Sequence, residues 1–250
     1  MPDSVNTHPL CEYTKSATRS RILSARRSVA TQTRAAADGA LCAALLAEVT
    51  RATHNATLAM IDSMDHDPTT PAPLAVVVAG YVPLPGEPGG HALPDALATA
   101  LATGLATGLA TGLTSAGNPT TLVHGYLLLP VLNRDNDLDW ARYQGPERLR
   151  TAGRRLREPV GPTLGPDAIA SATLIVTPAV AVDRGGNRLG RGGGSYDRAL
   201  ARVPAGVRII APLYQGELVD RLPTEPHDRP VTTAMVADGD RVTQLTVHRG

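Results

Sequence analysis

Arg188-Leu189-Gly190-Arg191-Gly192-Gly193-Gly194-Ser195-Tyr196-Asp197-Arg198 packs four glycines and three arginines into eleven residues. Glycine has no Cβ, so backbone N–H groups can approach an anion closely and positive φ is open to the chain. Arginine forks match phosphate oxygens. The segment continues into Asp197-Arg198-Ala199-Leu200-Ala201-Arg202-Val203, which reads as a helix. An anion in the loop would then face that helix's N-terminus. A carboxylate beside phosphates is a usual place for Mg²⁺, which draws attention to Asp197. Upstream, Ala172 to Val182 is an apolar strand. Strand, glycine loop and helix in this order make a unit of an α/β fold. The alternative for the loop is a surface turn whose arginines are solvated.

The rest of the chain repeats the alternation. Leu74 to Val82, Leu122 to Leu129 and Val207 to Leu213 are further apolar runs of the buried, parallel-strand type. A helix from Thr14 to about Ala36 carries Ile22, Leu23 and Val29, and a second from Asp38 to Arg51 aligns Leu41, Leu45, Leu46 and Val49. Asp38 is a suitable N-cap for the second. Residues 52–72 are polar and rich in proline and read as a loop. The pattern predicts a three-layer α/β/α fold with a mostly parallel sheet. Residues 1–12 read as a flexible tail and 13–250 as a single domain.

Residues 96–113 repeat Ala-Thr-(Ala/Gly)-Leu, and a period of four drifts slowly round a helix, leaving the leucines in one slanted stripe. We read it as a low-complexity expansion of an ordinary crossover helix. Gly104, Gly108 and Gly112 also have the small-xxx-small spacing of membrane helix pairs, which the interleaved threonines argue against.

Composition narrows the function classes. The net charge is +1, so bulk electrostatics draws the chain to neither nucleic acid nor membrane. The longest purely apolar stretch, Leu127 to Leu132, is far too short to span a bilayer. Residues 1–14 have no apolar core and do not read as a signal peptide. Cys11 and Cys42 form no metal spacing, and a reduced, cytoplasmic setting is the expectation. With no Phe and Trp140 the one tryptophan, the core must be aliphatic. Of 24 basic residues only Lys15 is lysine, which invites a functional explanation for it.

Taken with its flanks, the glycine loop resembles the 5-formyltetrahydrofolate cyclo-ligase family, the 5,10-methenyltetrahydrofolate synthetases. Val176-Thr177-Pro178-Ala179-Val180-Ala181-Val182-Asp183 through Arg188–Arg198 carries the likeness. Leu222-Pro223-Thr224-Glu225-Pro226-His227-Asp228 with Pro230-Val231, Lys15 with Arg19 and Arg26-Arg27, and Gly86-Glu87-Pro88 add to it. The resemblance spans about residues 13 to 240. At Ser195 the chain departs from the family, which more often has Tyr there.

The resemblance implies an architecture similar to sugar-phosphate isomerases and CoA-transferase-like domains. It also implies conversion of 5-formyltetrahydrofolate to 5,10-methenyltetrahydrofolate with ATP and Mg²⁺, releasing ADP and phosphate. Phosphorylation makes the formyl oxygen a leaving group, and N10 then closes the ring. The implied nucleotide site is Lys15, Arg19, Arg188, Leu189, Gly190, Arg191, Gly192, Gly193, Gly194, Ser195 and Tyr196. Arg191 would hold the transferring phosphate and is the implied catalytic residue. Asp197 and Asp228 are the implied Mg²⁺ ligands. Glu87 would bind the pterin's N–H edge, Val82 would line the folate pocket, and Trp140 would replace the missing aromatic wall. Asp183 and His227 are expected to be structural. A monomer acting on two small molecules is expected. Two alternatives stand: a sugar-phosphate enzyme of related fold, disfavoured by Lys15 and the two aspartates, and a non-catalytic or divergent folate- or nucleotide-binding paralogue, suggested only by Ser195.

Overall fold

The structure, a computed structural model, describes residues 14–66, 75–113, 124–153, 156–225 and 228–247, without the side chains of 60–66 and 111–113. The expected tail at 1–12, Cys11 and His227 lie outside the described residues. Strands β1 (Ala75–Ala79), β2 (His124–Leu132), β3 (Leu138–Arg142), β6 (Leu174–Val176), β9 (Arg208–Tyr214), β11 (Thr233–Asp238) and β12 (Arg241–Thr246) form one sheet. Its order is β12-β11-β9-β6-β1-β2-β3. The five inner strands pair in parallel, and the hairpins β2–β3 and β11–β12 close the edges antiparallel. Two short sheets sit beside it. One joins β10 (Leu218–Val219), β7 (Ala181–Asp183) and β8 (Arg188–Leu189); the other pairs β4 (Leu149–Thr151) with β5 (Arg157–Pro159).

Both faces of the main sheet are covered, which is why its inner strands are apolar without alternation. Val76 and Val78 of β1 pack under helices α2 (Thr31–His66) and α3 (Leu93–Leu113). Val77 and Ala79 face the opposite layer, with Ala199 and Leu200 of α4 (Ser195–Ala201) and Ile169 of the 3-10 turn Pro166–Ser171. Helix α1 (Lys15–Ser28) lies apart, its Ile22 packed on Val180, Ala181 and Leu189. The layers match the expected α/β/α fold.

Three local expectations are corrected. The first two helices divide at Val29, which has extended backbone, and not at Asp38. Asp38 lies inside α2, where its carboxylate accepts the N–H of Gly89 from a distant loop. Second, residues 52–66 are helix and not loop. Their polar residues mislead because the partner that buries them is remote: Thr53 and Thr57 are buried, at 1% and 0% exposure, against the glycines of α3. Third, the apolar run from Ala172 to Val182 is two strands, β6 and β7, in different sheets.

The Ala-Thr-Gly-Leu repeat is a packing seam. A Cβ on Gly104 would stand 2.6 Å from the Thr50 carbonyl oxygen and 2.6 Å from Thr53 Cβ, and one on Gly108 2.6 Å from Thr57 Cβ. Glycine lets the two backbones approach to a distance that any side chain would prevent. Leu93 to Ala110 is the one described helical segment long and apolar enough to cross a membrane. Here Leu93, Leu97, Ala100 and Leu101 are buried in the core.

Candidate active site

The chain leaves β1 at Ala79 and the neighbouring β6 at Val176, both at their carboxyl ends. Tyr81 and Val82 follow the first; Pro178, Ala179 and Val180 follow the second; together they wall a cavity of about 500 Å³. A cleft beyond the carboxyl ends of parallel strands is the usual ligand position in such sheets. Pro130 and Leu132 of β2, with Leu138 of β3, give it an apolar side.

Glu87 reaches this cavity from a tight turn. Its N–H bonds Leu84 O at 2.9 Å, and Leu84 N–H returns a bond to Glu87 Oε2 at 2.9 Å. The other oxygen, Oε1, accepts Arg191 Nε at 2.6 Å. The Glu87 side chain is 8% exposed and that of Arg191 46%.

The glycine loop forms the cavity's polar wall. Gly192 and Gly194 have φ of +98° and +68°, the left-handed region that glycine enters without strain. A Cβ on Gly192 would also come within 3.3 Å of the Arg19 guanidinium carbon. Arg19 Nε donates to Gly190 O at 2.8 Å, fastening α1 to the loop. Asp183, as a structural residue should, shapes the turn before it: Oδ1 accepts Gly185 N and Asn187 N, and Oδ2 accepts Leu222 N, each at 2.9 Å.

Helix α1 is set by a buried pair. Arg26 Nε meets Glu217 Oε1 at 2.6 Å, and its Nη2 donates to Ala179 O at 3.0 Å. This places Lys15, at the helix start, 2.8 Å from Asp228 Oδ2 and 3.1 Å from Glu225 Oε1. Burial works to lower the Lys15 pKa, but the hydrogen bonds and charges of Asp228 and Glu225 outweigh it and hold it above the ordinary value.

The structure brings every expected nucleotide residue to this cavity: Lys15, Arg19 and the run from Arg188 to Tyr196. Val82, Glu87, Asp197 and Asp228 also line it. Two expectations change. Trp140 does not line it; it is 0% exposed, packed edge-on behind Tyr196 with centroids 6.5 Å apart, and belongs to the core. Arg188 is not a free cation, because its buried guanidinium bonds Asp197 Oδ1 at 2.5 Å and Pro178 O at 3.1 Å.

Glu225, within the Leu222–Asp228 segment, has no sequence signal of its own for its place beside Lys15. Tyr81, Tyr214 and Asp38, which hold the Glu87 turn, gave no signal in the sequence beyond Asp38 as a helix cap.

The donor chemistry suits a phosphate-bound Mg²⁺. Asp197 and Asp228 offer hard oxygens on the cavity wall. No group of three or more His, Cys, Asp or Glu that could hold a metal exists among the described residues. Mg²⁺ commonly takes only one or two carboxylates, completing its shell with phosphates and water. The Tyr196 hydroxyl and Arg188 Nε are buried with no hydrogen-bond partner among the described residues. Burial raises the Tyr196 pKa, so the hydroxyl stays a donor at neutral pH.

Residues 120–237 match the model of the 5-formyltetrahydrofolate cyclo-ligase family. A 5-formyltetrahydrofolate cyclo-ligase of Mycolicibacterium smegmatis is 38% identical over 160 residues, covering 62% of this chain and 70% of that one. One of Haemophilus influenzae is 42% identical over 69 residues, covering 25% and 34%. The NMR structure of Aquifex aeolicus 5,10-methenyltetrahydrofolate synthetase has the same fold, with a TM-score of 0.53 at 23% identity over 94% of this chain and 95% of that one. A 5,10-methenyltetrahydrofolate synthetase from Mycoplasma pneumoniae gives 0.55 at 18% identity, over 91% and 99%.

Proposed function

The chain belongs to the 5-formyltetrahydrofolate cyclo-ligase family, and from that premise we propose that it performs ATP-dependent closure of 5-formyltetrahydrofolate to 5,10-methenyltetrahydrofolate, releasing ADP and phosphate. One observation carries the assignment to this cavity. Glu87, suited to a pterin edge, and Arg191, suited to a transferring phosphate, meet in it at 2.6 Å. Substrates bound to each are therefore adjacent.

The chemistry needs positioning and charge neutralisation more than covalent help. The pterin N–H edge takes Glu87 Oε1, and Arg191, half-exposed and on a glycine loop, turns to the phosphate passing to the formyl oxygen. Backbone N–H groups of Gly192 to Ser195 bind the same phosphate. Lys15 and Arg19 hold the rest of the nucleotide. The formyl oxygen departs as phosphate when N10 attacks the formyl carbon. Asp197 and Asp228 would hold Mg²⁺, which when bound neutralises phosphate charge. The Tyr196 ring gives the pterin its aromatic wall in place of Trp140. Net charge of +1 fits two small substrates and no polyanion, and we read the protein as a cytoplasmic monomer.

The test is spectroscopic. Purified protein, 5-formyltetrahydrofolate, ATP and Mg²⁺ are expected to give the near-ultraviolet absorbance of the methenyl product, with each component required. Folate binding without that absorbance would make the chain a non-catalytic relative.

A further inference from the structure

The loop that carries Glu87 is built from residues that do not hold their shape alone. Gly86, Gly89 and Gly90 all have positive φ, at +82°, +89° and +56°. Side chains from three separate elements grip it. Asp38 Oδ1, from α2, accepts Gly89 N at 2.9 Å. Cys42, one turn later, points its Sγ at Gly89 O at 3.3 Å. Tyr81, just past β1, donates to Pro88 O at 2.6 Å. Tyr214, at the end of β9, has its hydroxyl 2.6 Å from Asp38 Oδ1 and 3.1 Å from Glu87 O. A tyrosine has one proton, and the shorter contact to a carboxylate takes it. Asp38 is thus the hub: its one oxygen receives both the loop amide and the tyrosine that touches the Glu87 backbone.

We propose that Asp38 is the positioning residue for Glu87, fixing from helix α2 where the folate-binding carboxylate stands. This rests on the function proposed above. Asp38 lies outside the cavity wall; its effect passes through the Gly89 N–H, and its bond from Tyr214 fixes the carboxylate that accepts it. A displacement of Glu87 by an ångström is felt first at the folate; it also alters the pair with Arg191, but Lys15, Arg19 and the loop N–H groups that hold the nucleotide do not depend on Glu87.

The experiment compares Asp38→Ala, Asp38→Asn and wild type by two readouts. The first is amide hydrogen exchange in residues 84–92. The second is the pair of KM values for 5-formyltetrahydrofolate and ATP. In Asp38→Ala the segment should exchange at least about 10-fold faster, and the folate KM should rise about 10-fold or more while the ATP KM stays within about 2-fold. Asparagine keeps an oxygen that accepts both bonds, so Asp38→Asn should stay near wild type in both readouts. Unchanged exchange and folate KM in Asp38→Ala, or equal rises in both KM values, overturns the proposal. So does an Asp38→Asn protein as impaired as Asp38→Ala. Should Asp38→Ala not fold, Tyr214→Phe removes only the hydroxyl and is expected to show the same split at smaller size; no split overturns the proposal. A wild-type protein without turnover defeats the functional reading alone, because the exchange comparison still decides whether Asp38 holds the loop.

Discussion

Glu87 and Arg191 are joined oxygen to nitrogen at 2.6 Å, although the proposed function gives each a different substrate. The pair occupies only the Nε of Arg191, whereas Glu87 spends Oε1 on it and Oε2 on the Leu84 N–H. Arg191→Ala is therefore expected to lower kcat by about 10²-fold or more, the usual cost of removing one charge-stabilising donor. Glu87→Gln should chiefly raise the folate KM. Steady-state kinetics with each substrate varied in turn checks both, and equal effects of both variants on both substrates would count against the division of roles.

Arg188 is buried, with 3% of its side chain exposed, and Asp197 answers its charge. Asp197→Asn should lose a charge-assisted bond as well as the proposed metal ligand, lowering stability by about 1.5–3 kcal/mol. Thermal unfolding and the Mg²⁺ dependence of the rate should both shift. A rate loss at unchanged melting temperature would leave Asp197 with the metal role alone.

Arg26 and Glu217 are both about 4% exposed and pair at 2.6 Å beneath α1. Glu217→Gln leaves a buried guanidinium uncompensated, for which about 3–5 kcal/mol is the typical loss. The double variant Arg26→Met/Glu217→Leu should recover much of it in denaturant unfolding. Failure to recover would mean that the bonds from Arg26 to Ala179 and Val180, and not the charge, dominate.

Two helical glycines should respond with opposite signs to the same substitution. A Cβ at Gly39 meets nothing within 4 Å, so Gly39→Ala should stabilise by roughly 0.5–1 kcal/mol through helix propensity. At Gly104 a Cβ meets backbone oxygen at 2.6 Å, and Gly104→Ala should destabilise by about 1–3 kcal/mol. Urea midpoints of the two variants decide it.

The β2–β3 turn is tied to α4 through Asp137 and Arg202, at 2.6 Å. Hydrogen bonds from Arg202 hold the Asp137 carboxyl below its ordinary pKa. A lowered folded pKa means stability that is present above the unfolded value, near 4, and lost as pH falls through the folded one. The difference in melting temperature between wild type and Asp137→Asn should therefore narrow below about pH 4. A constant difference down to the acid limit would remove Asp137 from the account.

Much of the site was legible because its chemistry is contiguous. The run from Arg188 to Tyr196, the Glu87 turn and the Leu222–Asp228 segment each read as local patterns, and the fold brings them to one cavity. What escaped depends on partners far along the chain. Asp38 resembles a helix cap in isolation, and only Gly89, 51 residues away, shows its use. Trp140 is large and solitary, which suggested a ligand wall, whereas the sheet and Tyr196 consume it as core. The split between β6 and β7 is marked in the sequence only by Thr177-Pro178, where a proline without an N–H ends the first strand.

The seam between α2 and α3 has a further property. A repeat of four residues can slide one unit, about 6 Å along the axis, and set Gly108 and Gly112 where Gly104 and Gly108 stood. Those glycines therefore make contact without choosing a register. The choice is made upstream, where Leu93 and Leu97 are fully buried and Asp95 Oδ1 accepts the Tyr143 hydroxyl at 2.6 Å. With its anchor at the N-terminal end, α3 can gain or lose units at its far end while the loop leading into it, and with it Glu87, stays in place.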